Sequence, residues 1–400
     1  MNAPTPSASF GALMAAAEEL VPLVEKDAAE SERLFRQTDR VVAALREAGI
    51  YAMLLPRALG GAELAFGESM RIVERLSWAD GSAGWCTMVA NVQAASGGAH
   101  LPPEGARLVY GNSPDVSMAG QGVPSGRARR VAGGYVITGR WSYGSGIHHA
   151  EWVHSGCVVM DGDRPALGAD GGPQTTIAHH PKSSIKLLGN WDVLGLRGTG
   201  SFDYAIADDE LFVPDSLCYP PDATTPHHGG RQYEVGLVGF TAWGHTGWAL
   251  GVGRRILDEL ARLARERRDV FGRLADSPTF KKSFAEAEAR YRAARALVYD
   301  SWGAIDQAAA ADRVAGLEPV ALIRLAMRHL HDVLSDIATF AHRGARGVSL
   351  RDSILQRCYR DAHSGTQHML LADEIVAECG RVLLGTTGPK ARWTLFAVKE

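Results

Sequence analysis

Between about Val116 and Tyr219 the apolar pattern of this chain changes period, and no other feature restricts its fold as strongly. Upstream, Leu20, Leu23, Val41, Val42 and Leu45 recur at helical spacing, and Glu68 to Trp78 continues that pattern after a break at Pro56 and Gly60-Gly61. Inside the segment, Arg130 to Trp141, Trp152 to Met160, Ser184 to Leu188 and Ser201 to Val213 are short alternating runs bounded by turn residues. Such runs predict a small antiparallel β domain. Beyond Gly230 the helical period returns, with Ile256, Leu257, Leu260, Leu263 and Ala264 on one helix. Phe284, Ala287, Tyr291, Ala294 and Val298 lie on the next, then Leu322, Leu325, Ala326 and Leu330. Four long helices with short connections predict an up-and-down four-helix bundle. The expected fold is therefore mainly α with a central β domain. Its expected parts are a helical domain over 1–115, the β domain over 116–225 and the bundle over 226–400.

Composition removes several function classes. Hydrophobic residues at 46% and charged residues at 22% belong to an ordinary globular protein, and a formal net charge of -3 gives no pull toward nucleic acid or an anionic membrane. The apolar run Phe10 to Ala17 has no basic residue before Lys26 to make it a secretion signal, and Gly236 to Gly253 is broken by His245 and glycines. Five cysteines without CxxC spacing suit reduced thiols, so a cytoplasmic protein is expected. No metal site is expected: His363 and His368 lie about 140° apart on a helix, and His329 and His331 about 160°. Gly251-x-Gly253 lacks a preceding strand and a third glycine, so no nicotinamide site is expected and the chain should not reduce a flavin by itself.

The segment Gly139 to Gly146, GRWSYGSG, ends a half-buried strand against glycines. Trp141 offers an apolar ring, and Ser142 and Ser145 offer hydroxyls suited to a heteroaromatic edge. Further on come Gly195-Leu196-Arg197-Gly198-Thr199-Gly200-Ser201 and Val213-Pro214, and the bundle's first helix ends Arg268-Asp269-Val270-Phe271-Gly272. With Gly49-Ile50 and Pro56 to Gly61, these motifs and the order helices, β domain, bundle resemble the acyl-CoA dehydrogenase fold over nearly the whole chain. The resemblance implies that Arg268 and Phe271 hold a flavin's phosphate or adenine end from a neighbouring subunit, and hence a homotetramer.

A dehydrogenase needs a carboxylate to remove a proton from its substrate, commonly a little beyond an Arg-Asp pair in the last long helix. Here Arg360-Asp361 is followed by Gly365-Thr366-Gln367-His368-Met369, without a carboxylate. On a continuous helix Ile354, Cys358, Ala362, Gly365, Met369 and Val376 form an apolar stripe, and Arg357, Asp361, Ser364 and His368 a polar one beside it. In that reading Arg357 and Asp361 hold one another as an i,i+4 pair.

The combination W-S-x-x-S-G with R-D and then Q-H resembles the two-component, group D flavin monooxygenases of this fold, the oxygenase components of aromatic hydroxylases. What the resemblance implies is reduced FMN or FAD delivered by a separate NAD(P)H:flavin reductase, reaction with O2 through a flavin C4a-hydroperoxide, and hydroxylation of a small phenolic, indolic or heteroaromatic substrate. It implies that Ser145 lies beside flavin N5 and C4a, that His368 assists oxygen activation or deprotonates substrate across the ring, that Trp141 packs near the isoalloxazine, and that Gln121 lines the junction of flavin and substrate. Two other readings stay open on the residues alone. One is an acyl-CoA dehydrogenase whose base has moved to Asp258 or Glu259; the other is a non-catalytic flavin-binding scaffold.

Overall fold

The first helix starts where the Ser9 hydroxyl accepts the Ala12 N–H. In this computed structural model, residues 8–168, 171–270, 272–394 and 397–399 are described. Helix α1 (Phe10–Leu34) buries Leu13, Ala17, Val21, Val24 and Ala28, with Leu20 and Leu23 on the shoulder of that stripe. Then come α2 (Asp39–Glu47), α3 (Phe66–Ala79), α4 (Gly81–His100) and α5 (Pro103–Tyr110). The break after α2 is tight: a side chain on Gly61 would place its Cβ 2.1 Å from the Leu55 carbonyl oxygen.

Helix α4 is the pivot of the fold. Only Trp85 and Val89 along it are not fully buried. A helix enclosed on all sides has no polar face to report its period, and α4 achieves close contact through small residues. A Cβ on Gly84 would meet Ser77 of α3, one on Gly97 would lie 2.9 Å from His179 Nε2, and one on Gly98 would meet Leu55. The Asp80 carboxylate caps α4 by accepting the Ala83 N–H at 2.9 Å.

The β domain contains β1 (Met118–Val131), β2 (Gly134–Thr138), β3 (Arg140–Gly144), β4 (Trp152–Asp161), β5 (Arg164–Pro165), β6 (Thr175–Pro181), β7 (Ile185–Leu187), β8 (Phe202–Ile206), β9 (Leu211–Pro214) and β10 (Cys218–Tyr219). One sheet runs β10-β6-β4-β1-β2-β9 with β5 beside β4, and a second runs β3-β8-β7. The pairing departs from the all-antiparallel expectation once: β1 and β4 are parallel. The hairpin partner β2 and strand β3 intervene between them, giving the chain the length a parallel return requires. Trp141 and Tyr204 stack between the sheets with ring centroids 5.4 Å apart, both fully buried.

The C-terminal region holds α6 (Gly236–Glu266), α7 (Pro278–Ala310), α8 (Leu317–Ala345), α9 (Ile354–Gly365) and α10 (Asp373–Leu383). The expected fourth long helix is thus broken in two. Helix α9 stops at Gly365, and a short turn, Met369–Leu371, re-aims the chain before Asp373 and Glu374 open α10. Gly365 lies against the Trp248 ring of α6, where a Cβ would be 2.1 Å from the indole. Among the described residues no helix is long and apolar enough to cross a membrane. Cys86, Cys157, Cys218, Cys358 and Cys379 are free and buried.

Candidate active site

At the end of β3 the chain turns through Tyr143 at φ 65° and Gly146 at φ 75°, which lifts Ser145 toward α4. The turn is tied to the loop before β8, because the Gly146 N–H donates to the Thr199 carbonyl at 2.9 Å. Ser145 Oγ then lies 2.6 Å from Ser201 Oγ, which lies 2.7 Å from Thr199 Oγ1. From the other side the Trp85 indole N–H donates to Ser145 Oγ at 3.1 Å.

Trp85 joins this hydroxyl chain to a cluster of imidazoles. Its ring meets His245 edge-on at 4.7 Å, Trp248 at 5.1 Å and His368 at 6.4 Å. The His245 and His368 centroids are 3.9 Å apart, and His331 lies 6.3 Å from His245 and stacks on Trp248 at 6.0 Å. Burial holds all three imidazoles neutral: it pushes His331 and His368 down to about 4, and His245 well below its usual value. Buried nitrogens without protein partners remain at His245 Nδ1 and His331 Nε2.

His368 is not on α9. It caps the following turn, where its Nδ1 accepts the Leu370 N–H at 3.3 Å. A neutral ring that accepts at Nδ1 carries its hydrogen on Nε2, so His368 presents a donor. The polar stripe drawn on a continuous helix is corrected accordingly, since helical spacing ceases three residues before this side chain.

The expected Arg357–Asp361 pair is also corrected. Arg357 Nε turns to Asp80 Oδ1 at 3.6 Å, while Asp361 Oδ1 accepts the Leu196 N–H at 2.6 Å. The loop sits so close to α9 that a Cβ on Gly195 would lie 2.3 Å from the Arg360 carbonyl oxygen. Burial first, and the nearby Asp80 charge second, push the Asp361 carboxyl up to about 7.

Ser145 and His368 therefore both border one indole. Gln121 is close to the same turn: its N–H donates to Tyr204 Oη at 3.1 Å and its Nε2 to the Ser142 carbonyl at 3.4 Å. Trp141 instead lies inside the β domain, donating Nε1–H to the Gly156 carbonyl at 2.7 Å. Arg268 is exposed on a hairpin formed by Arg268–Asp269 and Gly272–Arg273, away from Ser145 in sequence and element. Phe271 lies outside the described residues.

Sequence reasoning missed His245, Trp248 and His331 as members of this group. His245 and Trp248 lie three residues apart on α6, a spacing that places them on one face, and that signal was available. The dehydrogenase alternative loses its candidates here. Asp258 Oδ2 accepts the Trp78 indole N–H at 2.8 Å and Oδ1 pairs with Arg254, while Glu259 pairs with Arg255 and Arg262.

Two family models match the chain: the acyl-CoA dehydrogenase N-terminal domain over residues 12–99 and the acyl-CoA dehydrogenase C-terminal domain over residues 243–373. An indole-3-acetate monooxygenase of Pseudomonas putida is 32% identical over 351 residues, covering 86% of each chain. An FADH2-dependent resorcinol hydroxylase, oxygenase component, of a Rhizobium species is 30% identical over 288 residues, 68% of each. The crystal structure of 3-HSA hydroxylase from Rhodococcus sp. RHA1 superposes with a TM-score of 0.84 at 24% identity, covering 94% of this chain and 97% of that one.

Proposed function

Since the chain belongs to the flavin-dependent monooxygenases built on the acyl-CoA dehydrogenase fold, we propose that it is the oxygenase component of a two-component system acting on a small aromatic compound. In this reading a separate NAD(P)H:flavin reductase supplies reduced FMN or FAD. The observation that carries the proposal is the pairing across Trp85: a buried hydroxyl, Ser145, on one side and a neutral imidazole, His368, on the other.

The residues present fit a flat heteroaromatic ring. Ser145 has an oxygen lone pair beyond those its neighbours use, and His245 Nδ1 and His331 Nε2 are buried without protein partners. When bound, reduced flavin supplies the two electrons with which one atom of O2 enters the substrate and the other leaves as water.

The chain's own residues then have separable tasks. Ser145 would hold the proton at flavin N5, and Gln121 would line the border with the substrate. His368 Nε2–H would donate toward the reacting oxygen or the substrate, a role that suits an imidazole kept neutral by burial. Trp85 and Trp248 exclude water from this space, and Trp141 would stiffen the floor through Tyr204, whose hydroxyl accepts the Gln121 N–H. Arg268 would reach the phosphate or adenine end of a neighbour's flavin. Its exposure on a hairpin supports that role, which requires an oligomer, with a homotetramer as the expected state. Free buried thiols support a cytoplasmic location.

The test partitions oxygen. Photoreduced FMN or FAD is mixed with the protein, O2 and a panel of phenols, indoles and heteroaromatics, and hydroxylated product is compared with hydrogen peroxide. Product should form at the expense of peroxide for at least one compound. Full conversion of O2 to peroxide with every compound and both flavins would refute the proposal.

A further inference from the structure

The hydroxyl chain behind Ser145 has a direction, and the Leu196 carbonyl sets it. Thr199 Oγ1 lies 2.7 Å from that carbonyl oxygen, which only accepts. The single Thr199 hydrogen is therefore committed to Leu196, so the 2.7 Å bond to Ser201 takes its hydrogen from Ser201. With the Ser201 hydrogen committed, the 2.6 Å bond between Ser201 and Ser145 takes its hydrogen from Ser145. Trp85 Nε1–H fills one lone pair of Ser145. What Ser145 has left is one lone pair and no hydrogen.

The relay is closed to solvent and anchored. Ser145, Thr199 and Ser201 are 6%, 1% and 3% exposed, so water has little access to reverse it. Leu196 is held by its N–H on Asp361, which fixes the acceptor at the far end to α9.

Resting on the proposed placement of Ser145 at flavin N5, we propose that Thr199 and Ser201 are positioning residues that make the pocket selective for the reduced cofactor. Reduced flavin carries a hydrogen on N5 and donates there; oxidised flavin has no hydrogen on N5 and only accepts. An acceptor-only Ser145 satisfies the first and leaves the second facing a lone pair. To serve the oxidised ring, Ser145 must turn its hydrogen away from Ser201, or all three hydroxyls must turn and the Leu196 carbonyl give up its hydroxyl donor; either way one hydrogen bond is lost. Losing one such bond corresponds to roughly a fivefold to tenfold difference in affinity.

The experiment is anaerobic titration of the protein with oxidised and with reduced FMN and FAD, giving the ratio of the two dissociation constants. The native protein should favour the reduced form. Ser201→Ala frees the Ser145 hydrogen and should shrink the ratio roughly fivefold to tenfold, mainly by tightening the oxidised form. Thr199→Val, nearly isosteric, leaves Ser201 free to donate to Ser145 and should shrink it likewise, so a folding defect in one variant leaves the other as the test. If both relay variants keep the native ratio while Ser145→Ala alters it, the relay is refuted and the placement of Ser145 survives. If Ser145→Ala changes neither constant, that placement falls, and the relay's role with it.

Discussion

The indole N–H of Trp85 donates to the Ser145 hydroxyl at 3.1 Å, joining a strand end of the β domain to the enclosed helix α4. Trp85 also borders His245, Trp248 and His368, so one side chain links the hydroxyl chain to the imidazole cluster. Trp85→Phe keeps an aromatic ring, though a smaller one, and deletes the donor. It should lower the fraction of O2 recovered as product about fivefold with little change in thermal stability, measured by product and peroxide yields beside a melting curve. An unchanged yield would remove this bond from the mechanism.

For His368 the protonation state is decisive. Burial pushes its pKa down to about 4, so the ring is neutral across the ordinary working range and no rate inflection near its unperturbed value should belong to it. His368→Phe should lower single-turnover product yield roughly a hundredfold, and His368→Gln, which keeps an N–H donor, should recover part of it. An inflection near neutral pH that disappears in His368→Gln would contradict a neutral donor.

Stability should fall as the solution is acidified through the range of free histidine. Burial lowers His154 to about 3, and His180, His331 and His368 to about 4. Between about 4 and 6.5 the unfolded chain takes up protons that these folded imidazoles refuse, each worth about 1.4 kcal/mol per pH unit, so stability rises with pH there and is lost as pH falls. Asp361 works the other way. Its carboxyl, raised to about 7, keeps a proton that the unfolded chain releases, so its contribution declines as pH rises from about 4 to 7. The imidazoles outnumber it, and the melting temperature should drop between about pH 7 and pH 5. A higher melting temperature at the lower pH would show that the buried aspartates dominate.

Packing at the end of α9 gives a steric prediction. Gly365→Ala would press a methyl group into Trp248, whose N–H is held by the Gly81 carbonyl at 2.9 Å. The substitution should cost about 1–3 kcal/mol, read by denaturant unfolding, and should reduce product yield because Trp248 supports Trp85 and His331. A variant as stable as the native chain would mean that α9 can shift freely.

The alternation from Arg130 to Trp141 and the helical stripes beyond Gly230 made the succession of helices, β strands and helices legible, because those stretches have one buried and one wetter face. Helix α4 was not legible as a helix: enclosed on every side, it shows small residues without a period. The break after Gly365 was equally hidden. Extrapolating the wheel placed His368 on a continuous helix, whereas a turn presents it. Ser145 was singled out through a motif. Its partners Trp85 and Ser201, and the imidazoles His245 and His331 that follow from Trp85, come from separate parts of the chain, and only the tertiary fold brings them together.

The central claim is that this chain transfers oxygen from O2 rather than removing hydrogen. It is tested most directly by single-turnover reaction with oxygen-18-labelled O2, reduced flavin and an aromatic substrate that yields product, followed by mass spectrometry. The account predicts one labelled oxygen atom in each hydroxylated molecule, with Ser145→Ala diverting label into hydrogen peroxide. Product carrying only solvent oxygen, or a desaturated product without label, would contradict it.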